Sequence, residues 1–186
     1  VIVKRHFQSM KDGAIVVSYD KYDQFGERFG HLFYKAPFKA YRLRFEYRFS
    51  TEHPADTPNW AIANSGVMIY GQDPKTMAVD DSFPVSVEAQ ILGQAAGQDR
   101  FNSNMCSPGT NVVMNGQLEK THCINSTSAA GPNGVWYQFE VEVSPSGVVT
   151  RNEPPATSWP SWIASAWTEP VQALPANPSH HVPAAG

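Results

Sequence analysis

Residues 41–49 read Tyr-Arg-Leu-Arg-Phe-Glu-Tyr-Arg-Phe, a strict two-residue alternation. Successive side chains of a strand point to opposite sides. Tyr41, Leu43, Phe45, Tyr47 and Phe49 therefore share one face, and Arg42, Arg44, Glu46 and Arg48 the other. A helix would scatter the same residues around its circumference. Two further runs repeat the pattern: Val85, Val87, Ala89 and Ile91 oppose Ser86, Glu88 and Gln90, and Tyr137, Phe139, Val141 and Val143 oppose Trp136, Gln138, Glu140 and Glu142. Shorter strands are predicted at 14–19, 30–34, 66–70 and 111–114. Turn signals lie between them, among them Asp12-Gly13, Asp73-Pro74, Asn115-Gly116 and Pro132-Asn133-Gly134. Fifteen Pro and 13 Gly, with only 17% charged residues, disfavour long helices. Many short strands with no helical period give an all-β chain, an antiparallel β-sandwich or jelly roll.

Residues 151–186 change character: they hold seven prolines and three Trp (Trp159, Trp162, Trp167), with no Lys, Phe or Tyr. The expectation is a strand-based domain over 1–150, then a Pro/Ala/Trp-rich tail over 151–186. That tail should be loop-like or disordered and supply no pair of sheet strands.

Lys and Arg total 14 against 17 Asp and Glu, a net charge of −3. No basic excess is available to neutralise phosphates, which argues against a nucleic-acid partner. No apolar run approaches the roughly 20 residues of a membrane-spanning helix. Cys106 and Cys123 leave two readings. They are a pair of buried free thiols, or a disulfide that stabilises by roughly 3 kcal/mol and implies an oxidising compartment. Two cysteines cannot make a structural zinc site alone, and the six His show no metal-ligand spacing.

Glu88 and Gln90 put an acid and an amide two residues apart on one strand face. Such a face is either a solvated outer surface or the lining of a groove. Sugars suit a groove of this kind, because their hydroxyls pair with Arg, Glu and Gln and their apolar faces stack on aromatic rings. Asn64-Ser65-Gly66 reads as an ordinary turn, and His122 as a surface histidine, unless they border such a groove. No nucleophile elbow, zinc-protease helix, phosphate loop or dinucleotide glycine pattern occurs.

Several separated motifs occur in a fixed order. They are Phe45-Glu46-Tyr47-Arg48-Phe49, Asn64-Ser65-Gly66-Val67-Met68-Ile69-Tyr70-Gly71, and Val87-Glu88-Ala89-Gln90-Ile91-Leu92-Gly93. The stretch from Cys106-Ser107-Pro108-Gly109 to Asn115-Gly116 follows, then His122-Cys123, and Trp136 leading into Glu140-Val141-Glu142-Val143. This set resembles the 3-keto-disaccharide hydrolase family over roughly residues 10–150. The resemblance implies a concanavalin-like jelly roll, typically exported by bacteria, hence a periplasmic or extracellular location. It brackets both cysteines with motif residues. With the Asn115-Gly116 turn between them, their Cα atoms are expected within about 7 Å.

The resemblance also implies a hydrolase or lyase acting on glycosides oxidised at carbon 3. The ketone acidifies the neighbouring carbon–hydrogen bond. A base removes that proton, the glycosidic oxygen leaves by β-elimination, and water adds later. The route needs a base, a stabiliser for the enolate oxygen and an acid for the leaving group, and not the paired carboxylates of ordinary glycosidases. Within that chemistry Glu88 is the candidate base, Arg48 the enolate stabiliser that also holds Glu88 charged, and His122 a proton carrier. Gln90, Asn64, Ser65 and Glu46 are candidate substrate-binding residues. No cofactor is evident. A divalent metal is compatible with the chemistry, but the sequence offers no ligand set for one.

The family's opening strand has no counterpart here, and after Thr150 the run Arg151-Asn152-Glu153-Pro154-Pro155 replaces its closing hairpin. The expectation is a sandwich lacking those strands, with unpaired edges. Two other function classes follow: a non-catalytic carbohydrate-binding module, or an inactive truncated remnant. A base converging with binding residues marks the enzyme, and a flat aromatic platform the module.

Overall fold

The computed structural model describes residues 7–11, 13–114, 116–145, 147–153 and 172–173. Its first half holds β1 (Phe7–Lys11), β2 (Ala14–Val17), β3 (Tyr41–Tyr47), β4 (Asn64–Ile69), β5 (Val87–Leu92), β6 (Phe101–Asn102) and β7 (Asn104–Cys106). The second half adds β8 (Val112–Met114), β9 (Gln117–Glu119), β10 (Cys123–Ile124), β11 (Ser128–Ala129), β12 (Tyr137–Ser144), β13 (Gly147–Glu153) and β14 (Gln172–Ala173). The described residues include no α-helix, only two 3-10 turns at Asn59–Ala61 and Pro74–Thr76. No helix among them is long and apolar enough to cross a membrane.

Two antiparallel sheets make the sandwich, one in the order β10-β7-β5-β4 and the other β13-β12-β3. The three alternating runs become β3, β5 and β12, and their apolar faces meet. Val67, Ile69, Ala89 and Ile91 pack against Phe45, Tyr47, Phe139, Val141, Val143 and Val148. Burying each large apolar side chain contributes about 1.5–3 kcal/mol, so these faces dictate the register. A second cluster of Val87, Met105 and Val112, with Met114 and Ile124 against it, extends the core. Among the described residues β3 and β4 each pair on one side only.

The β8–β9 hairpin turns where the Asn-Gly pair signals it. Met114 pairs with Gln117, and Gly116 has φ 74°, which glycine adopts without steric cost. Beyond this hairpin Cys106 and Cys123 stand directly opposite each other, with Cα atoms 4.1 Å apart, and are disulfide-bonded. The free-thiol reading is set aside.

One expectation needs correction. Residues 30–34 form no strand. That segment holds its place through rings: Phe29 stacks on Trp60 at 5.7 Å and meets Phe83 at 4.7 Å, and a His31 ring nitrogen lies 2.8 Å from the Ser82 carbonyl oxygen. The boundary at 150 falls inside β13, whose last three residues pair with Gln138, Phe139 and Glu140. Gln172–Ala173 pairs with β8. The remaining tail residues, 154–171 and 174–186, lie outside the described residues.

Candidate functional site

Residues directly opposite on paired antiparallel strands point the same way. One row across the four-stranded sheet is Met68, Glu88, Cys106 and Cys123. The next is Gly66, Gln90 and Asn104. Asn64 follows, opposite Leu92. Because Val67, Ile69, Ala89 and Ile91 turn into the core, these rows face away from the other sheet.

Glu88 is partly buried. None of the ion pairs among the described residues involves it. Burial without a compensating cation disfavours the charged form and pushes its carboxyl up from 4.5 to about 7. The side chain lies across Gly66 on the neighbouring strand. A Cβ there would come within 2.6 Å of Glu88 Cγ and 2.8 Å of its Cδ, and would overlap Oε1. Gly66 is thus the gap that Glu88 fills. Gln90, one row along, accepts a 2.9 Å hydrogen bond at Oε1 from Asn104 Nδ2.

The other sequence-chosen residues divide. Asn64 lies on the Glu88 face, but its amide donates to the Trp60 carbonyl at 2.9 Å and so braces the 3-10 turn. Ser65 takes the opposite face, paired with Ile91, because neighbours in a strand alternate. This removes it from the rim. His122 is exposed and precedes β10, two strands from β5, and its carbonyl accepts from the Ser107 N–H at 2.9 Å.

Arg48 and Glu46 do not join Glu88. Glu46 lies in β3, which pairs with β12, on the face that turns away from the core on the far side of the sandwich, and Arg48 lies just past the end of β3. There Arg48 sits 4.9 Å over the Trp136 ring, and Glu46 accepts from Gln138 Nε2 at 3.4 Å. The same face carries the ion pairs Arg44–Glu140 and, at 2.7 Å, Arg42–Glu142. The charged face of residues 41–47 therefore carries a ladder of ion pairs to β12. The expectation that Arg48 holds Glu88 charged is corrected on both counts: Arg48 lies just past β3, over Trp136, while Glu88 is on β5 of the other sheet, and burial pushes Glu88 towards its neutral form.

Sequence reasoning missed Asn104 and the bracing role of Gly66. The available signal for Asn104 was its place two residues before Cys106 on a three-residue strand, which sets both on one face. No three His, Cys, Asp or Glu side chains cluster to hold a metal ion among the described residues.

Comparison with known proteins gives one family. A model described as a 3-keto-alpha-glucoside-1,2-lyase-like domain matches residues 2–153. No curated protein and no solved structure matches the chain.

Proposed function

Because the chain belongs to the 3-keto-alpha-glucoside-1,2-lyase-like family, we propose that it cleaves the glycosidic bond of a sugar bearing a ketone at carbon 3, with Glu88 as the base. Glu88 takes the hydrogen on carbon 2, and the bonding pair moves towards the ketone as an enolate. The pair then forms the second bond between carbons 1 and 2 as the bond from carbon 1 to the glycosidic oxygen breaks and that oxygen leaves with its electron pair. A proton reaches that oxygen to give the free alcohol, and water added to the unsaturated ketone makes the net change a hydrolysis.

The observation that carries this reading is Glu88 itself, an acid on a sheet face in no ion pair among the described residues, with its carboxyl pushed up to about 7. A base works best when its pKa lies near the working pH, where it is free to accept a proton and strong enough to hold one. In an α-glucoside the carbon-2 hydrogen and the carbon-1 oxygen are both axial and on opposite faces. The acid must then stand across the ring from the base. His122, two strands from Glu88 at about 5 Å per strand, is the proposed carrier. The Cys106–Cys123 disulfide supports a working place in an oxidising compartment outside the cytoplasm.

The test is release of the aglycone from a 3-keto-α-glucoside, with the parent glucoside as control. Release from the ketone substrate alone is expected. A chain that binds both sugars and releases neither aglycone is the non-catalytic module instead.

A further inference from the structure

Behind Glu88 lies a short relay of amides anchored at both ends on backbone groups. Asn104 is 2% exposed. Its Oδ1 accepts from the Ser126 backbone N–H at 3.0 Å. Its Nδ2 donates to the Phe101 carbonyl at 2.9 Å and to Gln90 Oε1 at 2.9 Å. A backbone N–H can only donate and a backbone carbonyl can only accept. These two fixed partners leave Asn104 a single orientation. Turned over, it would set its NH2 against an N–H and its oxygen against a carbonyl, two mismatches in a buried place.

The constraint passes to Gln90. With an Asn104 donor in front of it, Gln90 must present its oxygen inward. Its Nε2 is left pointing away from Asn104, and no described residue accepts from it. Gln90 stands on the same face as Glu88, two residues along, about 7 Å between Cα atoms. The backbone at Ser126 and Phe101 thus decides that the site shows a hydrogen-bond donor, not an acceptor, beside its acid.

We infer that Asn104 is a positioning residue that sets the polarity of Gln90, and that Gln90 Nε2 is the donor to the ketone oxygen of the substrate and to the enolate oxygen formed from it. The inference rests on the function proposed above. As Glu88 takes the proton, negative charge grows on that oxygen, and a donor already aimed at it stabilises the transition state more than the ground state. Gln90 then fills the role the sequence suggested for Arg48. With its polarity reversed, the amide oxygen would face the enolate and oppose the charge.

Asn104→Asp tests the relay. The carboxylate still accepts from Ser126 N–H but cannot donate to Gln90, so the Gln90 amide turns over. The expected result on a 3-keto-glucoside is a kcat lower by about 10²–10³-fold, the loss seen when one oxyanion donor goes, with KM changed only a few-fold. In a Gln90→Met background the same change should cost nothing further, because Asn104 acts only through Gln90. Gln90→Glu is the second variant. It keeps the bond from Asn104, shows an acceptor to the site, and should lose kcat equally. Wild-type kcat in either variant, or a full additional loss in the Gln90→Met background, overturns the inference.

A substrate-free readout separates this inference from the proposed function. The Gln90 side-chain NH2 signals of the 15N-labelled chain, assigned by their disappearance in Gln90→Met, should shift in Asn104→Asp as the NH2 gains a carboxylate partner. If the wild type turns over no 3-keto-glycoside, the proposed function fails and the spectrum alone decides the relay. Unshifted Gln90 signals in Asn104→Asp overturn it.

Discussion

Glu88→Gln should stabilise the protein above neutral pH and leave its stability unchanged near pH 4.5. The folded carboxyl titrates at about 7, against an ordinary value of 4.5. Between those two pH values the folded protein holds a proton that the unfolded chain has released, so folding weakens as pH rises through the window. Below it both states are protonated and the burial of Glu88 costs little. Above it the folded state carries the full penalty of a buried carboxylate. The 4.5-to-7 gap, at about 1.4 kcal/mol per pKa unit, sets a ceiling of about 3.5 kcal/mol. Glutamine has the same shape and no charge, so it escapes this penalty at every pH. Urea unfolding of both proteins, with the disulfide kept oxidised, would be compared at pH 4.5, 6 and 8. The stability difference should be near zero at pH 4.5 and grow to about 2–3 kcal/mol in favour of Glu88→Gln at pH 8. A difference that ignores pH, or a variant less stable than wild type at pH 8, refutes the reasoning.

Gly66→Ala should destabilise by about 1–3 kcal/mol by forcing Glu88 out of its place, as overpacking does. Most of that cost should vanish in a Glu88→Ala background, and a cost that persists there counts against the packing described. Replacing both Cys106 and Cys123 by Ser should remove about 3 kcal/mol, read as a lowered Tm; an unchanged Tm contradicts it. Arg44→Ala removes one ion-pair partner from Glu140, which is only 5% exposed. It should cost about 3 kcal/mol at pH 7, against under about 1 kcal/mol for Arg42→Ala at the more exposed pair. Equal costs in urea unfolding would contradict that ranking.

The alternating runs made the sandwich legible because one face of each had to be buried. Residues 41–47, 87–92 and 137–144 are strands with the faces that period two assigns, and Glu88 and Gln90 share a face as their spacing requires. What alternation cannot give is the partner. Alternation sets Arg48 and Glu88 each among polar neighbours, and nothing local says that β3, just before Arg48, pairs with β12, roughly a hundred residues away, and not with β5. The stretch Asn102-Ser103-Asn104 was illegible for another reason. Its polarity suggests a surface turn, yet all three residues are 1–2% exposed. Asn102 and Asn104 are buried with their amides answering backbone groups: Asn102 Oδ1 accepts from Leu92 and Ser103 N–H, and Asn104 answers Ser126 and Phe101. Hydropathy carries no trace of such partners. The rings at Phe29, Trp60 and Phe83 likewise replaced a predicted strand by contacts between distant segments.

The most direct test of the proposed chemistry compares single-turnover aglycone release from a 3-keto-α-glucoside by the wild type and by Glu88→Gln, at pH 8, with far-ultraviolet circular dichroism confirming the same fold. Loss of the base should slow release by about 10²–10⁴-fold while the sugar still binds. Release at the wild-type rate by Glu88→Gln would contradict the assignment of Glu88 as the base.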